Sequence, residues 1–148
     1  MTSALPQRNT ARSVGAIVAG VVVGLVLTLS SDAVLHAAGV FPPYGQIASN
    51  GALAVATAYR FVFSVLGSYI GARLAPNRPM WHAMFLGWLN LAVSAIGAIV
   101  TWNRTAEFGP HWYPLSLVIL ALPAAWIGGR IYTSRHHDWS ATGEFFAR

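Results

Sequence analysis

Residues 14–31 read VGAIVAGVVVGLVLTLSS, eighteen positions without one ionisable side chain. A helix rises 1.5 Å per residue, so about 20 such residues cross the roughly 30 Å of hydrocarbon in a bilayer. A helix on the surface of a soluble protein carries a polar stripe, and Ala19-Gly20-Val21-Val22-Val23-Gly24-Leu25-Val26-Leu27 offers none. A barrel strand alternates polar and apolar residues, and this run does not alternate. Lipid supplies no hydrogen bonds to a peptide group, so a segment of this kind must bond its own backbone as an α-helix.

Three further stretches repeat the pattern outward from the first. They are residues 52–72, interrupted only by Arg60, residues 79–103, and residues 108–129. The chain has 148 residues, of which 55% are hydrophobic and 9% charged, against roughly 25% charged in a soluble domain. A water-facing surface cannot be assembled from so few ionic groups. The expectation is an all-α integral membrane four-helix bundle. Its parts are a polar arm at 1–12, a transmembrane domain at 13–132 with spans near 13–38, 52–74, 80–102 and 112–132, and a tail at 133–148. The arm and first apolar run resemble a signal peptide, but the run exceeds the usual length and continues through Ala33-Val34-Leu35, as an uncleaved span would.

The absence of cysteine removes disulfides, thiolate nucleophiles and cysteine-held clusters from this chain. The net charge of +5 derives from arginine alone, there being no lysine. Nucleic acid is not the reading, because the arginines are scattered at helix ends rather than gathered in a patch. Their positions report orientation instead. Arg8, Arg12, Arg73, Arg78, Arg130, Arg135 and Arg148 fall on one side of a four-span chain, and the two connections on the other side hold only Arg104. Both termini are therefore expected in the cytoplasm.

Both connections opposite the termini combine prolines and aromatics, Phe41-Pro42-Pro43-Tyr44 and Phe108-Gly109-Pro110-His111-Trp112-Tyr113-Pro114. The second and fourth spans end alike, Ile70-Gly71-Ala72-Arg73 and Ile127-Gly128-Gly129-Arg130. Two parallel helical hairpins of common ancestry would give that likeness, and so would arginine endings acquired independently. Small residues recur at four-residue spacing in Ala16-Gly20-Gly24-Thr28, in Gly67-Gly71, in Gly87-Leu91-Ala95 and in Ala121-Ala125-Gly129. Such stripes let helices approach closely in lipid, either within one chain or at the seam of a homodimer. Pro123 interrupts the hydrogen bonding of the fourth span. Tryptophans gather largely near span ends, and Phe145-Phe146 in the tail is placed to dip back into the interface.

Arg60 is the most telling single residue, since arginine inside a span needs a partner or a route to water. Counting inward from Arg73 places its Cα about 20 Å from that boundary. Arg60, Ser64, Gly67 and Gly71 share one helical face, aimed at other helices. Counting from Ser13 puts Asp32 about 28 Å along the first span, so an Asp32–Arg60 ion pair linking the first two spans is expected. The alternative is a polar path built from Arg60, Ser64 and Asn90 around an anion. Asp32, His36, Glu107 and His111 form a weaker constellation that would gather on a metal only if two connections converged. His82 lacks the opposing histidine that haem ligation requires. No phosphate-binding glycine loop, nucleophile elbow or paired intramembrane carboxylates occur, so no catalytic residues, no enzyme activity and no cofactor are expected.

The segments VLHAAGVFPPYGQ (34–46), AYRFVFSVLGSYIGARLAP (58–76), PMWHAMFLGWL (79–89) and GPHWYPLSLVILALPAAWIGGRI (109–131) resemble a recurring group of small bacterial four-span inner-membrane proteins without an assigned activity. That resemblance implies a bacterial inner (plasma) membrane location and carries over no binding residues. The size is also similar to small multidrug transporters, which place a glutamate inside the first span. The acid of this span, Asp32, sits at its end. Two functions follow as expectations: a non-enzymatic accessory or interaction protein, or a small dimeric transporter or channel for a polar or anionic solute. The lipid bilayer is the partner in both, with a homodimer or a larger membrane complex around it.

Overall fold

The computed structural model describes residues 7–43 and 45–143, with the side chains of residues 7–9, 106 and 136–143 left out of the description. Tyr44 and the Phe145–Phe146 pair lie outside the described residues. The chain folds as α1 (Gln7–Ala37), α2 (Asn50–Leu74), α3 (Pro79–Thr101), the single turn α4 (Thr105–Phe108) and α5 (Trp112–Gly143), with no strand among the described residues. Four of these helices are long and apolar enough to cross a membrane, over Thr10–Ala37, Asn50–Leu74, Pro79–Thr101 and Trp112–Arg135. The end of the bundle carrying both termini and the α2–α3 turn is called the tail end below, and the opposite end the loop end.

The helix ends follow local chemistry. Gly39, at φ 72°, lets the chain turn out of α1, and the amides of Val40 and Phe41 then donate to the Leu35 carbonyl at 3.0 and 3.1 Å. Pro42 and Pro43 prevent resumption. Ser49 begins α2 from an extended backbone, its Oγ accepting from the Ala52 amide at 3.2 Å. After α2 a short turn reaches Arg78, which is held in the left-handed region at φ 44°, and Pro79 opens α3 with its fixed φ. Both outer helices run past the apolar stretches that mark them in sequence. α1 starts at Gln7 and α5 continues to Gly143, because neither flank holds a breaker and adding a residue to an existing helix is easy. Pro123 lies inside α5 and leaves the Ile119 carbonyl without its usual donor.

Packing is inverted relative to a water-soluble core. The buried side chains are mostly alanine, including Ala16, Ala56, Ala72, Ala83, Ala121, Ala124 and Ala125, and no large side chain is fully buried among the described residues. The bulky aliphatics point outward, with Ile99 at 75%, Ile119 at 70% and Val93 at 61% exposure. Lipid rather than protein is the solvent that such a surface fits. α2, α3 and α5 pack mutually, and α1 lies along α2 while touching α3 only briefly.

The small-residue stripes carry this packing inside one chain. A Cβ on Gly20 would stand 2.7 Å from the Gly67 carbonyl oxygen, and one on Gly67 would stand 2.7 Å from the Gly20 oxygen. The α1–α2 crossing therefore brings two backbones into direct contact. Gly87 meets Ala125 and Ala121, and Gly129 meets Met80 and Ala83, which joins α3 to α5 in the same way. Gly20, Gly67, Gly71, Gly87 and Gly129 of those stripes are thus in close contact within the monomer.

Candidate functional site

Antiparallel packing of α1 on α2 brings the end of α1 against the third turn of α2, and the two charged residues meet there. Arg60 Nη2 donates to Asp32 Oδ2 at 2.8 Å, and the Tyr59 hydroxyl donates to Asp32 Oδ1. Both oxygens of the carboxylate are therefore engaged. Neighbours on a helix point about 100° apart, so Tyr59 and Arg60 reach the acid from two sides of the α1–α2 groove. Tyr113, from the first turn of α5, lies beneath the guanidinium, its ring centre 6.0 Å from the Arg60 Cζ. Arg60 Nε is buried and has no acceptor.

Arg60 and Tyr113 separate two spaces. On one side is a small pocket of about 200 Å³ at the loop end, which Asp32, His36 and Gln46 also line. On the other is a cleft of about 590 Å³ inside the bundle, whose walls come from α1, α2, α3 and α5. The cleft is largely apolar. Its polar features are hydroxyls, Arg60, and a pair in which Asn90 Nδ2 donates to Ser64 Oγ at 3.3 Å. Arg60, Ser64 and Asn90 therefore share one cavity, as a path along α2 and α3 requires.

The shape of the cleft follows from where α1 and α3 touch. Leu86 Cδ1 lies so near Gly20 that a Cβ there would stand 2.7 Å from it, and the same methyl fills the space beside Gly71. From this floor toward the loop end α1 and α3 no longer close against each other. Val21 and Leu25 of α1 and Leu89 and Val93 of α3 line the cleft while being exposed on the bundle surface. The opening between those two rims faces sideways, into the space that lipid fills.

The structure does not gather Asp32, His36, Glu107 and His111 on a common point, and no cluster of three metal-ligating side chains occurs among the described residues. Backbone carbonyls take the imidazoles instead. His36 Nδ1 donates to the Asp32 carbonyl at 2.8 Å and His111 Nε2 to the Trp102 carbonyl at 2.8 Å, while Glu107 is exposed on α4. His82 is 2% exposed and donates from Nδ1 to the Arg78 carbonyl at 3.3 Å near the start of α3.

Sequence reasoning placed Asp32, Arg60, Ser64 and Asn90 and missed two members of the cluster. Tyr59 stands next to Arg60 in sequence, and a hydroxyl adjacent to an intramembrane arginine was a usable signal. Tyr113 had no such signal, since its ring is indistinguishable in sequence from the other interfacial aromatics of its connection. Comparisons of the chain with protein-family models, with curated proteins and with solved structures found no match.

Proposed function

We propose that this chain is a non-enzymatic interaction protein of the bacterial inner membrane, with both termini in the cytoplasm, and that it works by receiving a bilayer-soluble guest in its lateral cleft. The observation that carries the reading is the side opening between the exposed rims Val21–Leu25 and Leu89–Val93. A cavity of about 590 Å³ lies in the range of small-molecule sites, and a mostly apolar wall suits a guest that is already dissolved in lipid. The side chains that would have to act in catalysis hold one another instead, Asp32 being taken up by Tyr59 and Arg60. Orientation is supported by Arg73, Arg78, Arg130 and Arg135 at the tail end against Arg104 at the loop end.

A photoreactive amino acid tests this directly in native membranes. Placed at Ser94, on the cleft wall, it should capture a restricted set of molecules. Placed at Ile119, 70% exposed on α5 and outside the cleft, it should capture bulk lipid. Identical adduct profiles at the two positions overturn the proposal.

A second reading, a dimeric transporter for a polar or anionic solute, is favoured by one feature. Arg60 and Tyr113 form the wall between the loop-end pocket and the cleft, so a shift of those two side chains would join them. Solute-dependent flux in liposomes that is lost in Asn90→Leu would favour this reading over simple binding.

A further inference from the structure

Asn90 is the central residue of the 23-residue α3, about 16 Å of helix from either end and so near the middle of a ~30 Å hydrocarbon core. An amide at that depth has two donor hydrogens and an acceptor oxygen to satisfy without water. One donor goes to Ser64 Oγ at 3.3 Å. Asn90 Oδ1 receives no hydrogen bond from the described residues and is not among the buried atoms that lack a partner, so it stands open to the cleft that Asn90 lines. Turning the amide end for end exchanges its two groups and still leaves one of them unused. Ser64 accepts from Asn90 and keeps its own hydroxyl proton to give. The pair therefore presents a donor and an acceptor, and no charge, to a guest.

The side opening lies at the same level. Leu89 and Val93, the rim on α3, flank Asn90 and are exposed on the bundle surface. On α1 a Cβ on Gly24 would stand 3.7 Å from the Phe63 carbonyl oxygen, which sets the rim residue Leu25 at the depth of Ser64. Leu86, one turn below Asn90, closes the floor against Gly20 and Gly71. A guest bound to the pair thus has its polar group at the middle of the membrane, and its chain leaves sideways at that depth. A phospholipid head does not suit this position, since its charge would have to leave the interface for the core. Arg60 does not draw a charge inward either, because Asp32 at 2.8 Å already balances it.

Resting on the cleft-binding reading above, we infer that the guest is an uncharged lipid carrying a hydroxyl on a long apolar chain. The hydroxyl accepts from the Ser64 hydroxyl and donates to Asn90 Oδ1, while the chain passes between the Val21–Leu25 and Leu89–Val93 rims. A hydroxyl is selected over an ether or a carbonyl because it both donates and accepts. A guest that only accepts leaves the amide oxygen unpaired in hydrocarbon, which is costly.

The full chain in phosphatidylcholine nanodiscs permits a direct test with three diazirine-bearing probes of equal chain length: hexadecanol, hexadecane and hexadecyl phosphate. Adducts are mapped by peptide mass spectrometry. Hexadecanol and hexadecane should both label the cleft lining around Leu25, Leu89 and Val93 saturably, and hexadecyl phosphate should do so only at higher mole fraction than hexadecanol. In Asn90→Leu, with helicity checked, hexadecanol should need about fivefold or more higher mole fraction while hexadecane labelling holds, as loss of one or two neutral hydrogen bonds dictates. Ser64→Ala removes a single oxygen from the wall and should move hexadecanol in the same direction, which decides the matter should Asn90→Leu fail to fold. A hexadecanol requirement that is unchanged in the folded variants, or that moves in step with hexadecane, overturns the hydroxyl inference while leaving cleft binding intact, and so does hexadecyl phosphate saturating before hexadecanol. Failure of all three probes to label the cleft saturably overturns both.

Discussion

The reciprocal contact of Gly20 with Gly67 makes the α1–α2 crossing a sensitive point of the bundle. A methyl on Gly20 would sit 2.7 Å from the Gly67 oxygen and 2.7 Å from Leu86 Cδ1. Ordinary carbon–oxygen contacts begin near ~3.3 Å, so the helices must part by about 0.6 Å or more. Leu86 can yield by rotating, but a carbonyl in a helix cannot. Overpacking of this kind costs about 1–3 kcal/mol, offset by up to about 1 kcal/mol because alanine is the better helix former. Gly20→Ala and Gly67→Ala should each lose about 1–2 kcal/mol net of that gain. The double variant should lose less than the sum, since one methyl already separates the backbones that the other would push apart. Gly15→Ala is the control: nothing lies within 4 Å of its Cβ, so it should be neutral or stabilising by up to about 1 kcal/mol. Reversible unfolding in mixed micelles of sodium dodecyl sulfate, followed by far-ultraviolet circular dichroism, measures all four. A Gly20→Ala protein as stable as Gly15→Ala would refute the crossing.

Alanine at Asp32, at Arg60 and at both should show a coupling energy of about 0.5–3 kcal/mol in the same assay, and strictly additive losses would remove the ion pair as a stabilising unit. Tyr59→Phe should cost about 1.5–3 kcal/mol, the worth of one hydrogen bond to a charged group. Single cysteines at Ser49 and Asn77 in this cysteine-free chain should react with an impermeant thiol reagent from opposite faces of the membrane, and labelling of both from one face would refute the four-span topology. Arg78→Gly should raise the melting temperature by relieving a left-handed residue at φ 44°, a gain of about 1 kcal/mol, whereas Arg78→Ala, which removes the charge but keeps the strain, should not.

The membrane fold was legible because its cause is local. Each span announces itself through a run too apolar for water, but its start is less legible: the second and third spans are expected from 52 and 80, whereas the Ser49 cap begins α2 at Asn50 and Pro79 is the first residue of α3. The Asp32–Arg60 contact was legible through arithmetic alone, because two helices of known rise place both residues at one depth. The metal constellation failed for the opposite reason. Whether His36 and His111 converge depends on how two connections curl, and there the nearest carbonyls, those of Asp32 and Trp102, took the imidazole donors first. Helix overrun at both ends was missed because apolar length sets where a span stops being buried in lipid, whereas backbone hydrogen bonding sets where the helix stops.

The cleft belongs to a third category, written in the sequence yet unreadable until helix rotations are known. Among the α3 positions lining it, Leu86, Asn90, Ser94, Gly97 and Thr101 form an i, i+3, i+4 series on one face that ends in small side chains, with Leu89 and Val93 at its rim. Facing them, α1 supplies Gly20, Gly24 and Thr28. Leu86 has the bulk to reach Gly20 and Gly71 and close the floor; one turn further on, Asn90 bonds Ser64 of α2 instead. A helix pair in lipid gains little from filling such a space with its own side chains, because hydrocarbon from the membrane fills it equally well. The cavity is therefore a stable product of the side-chain sizes rather than a packing fault.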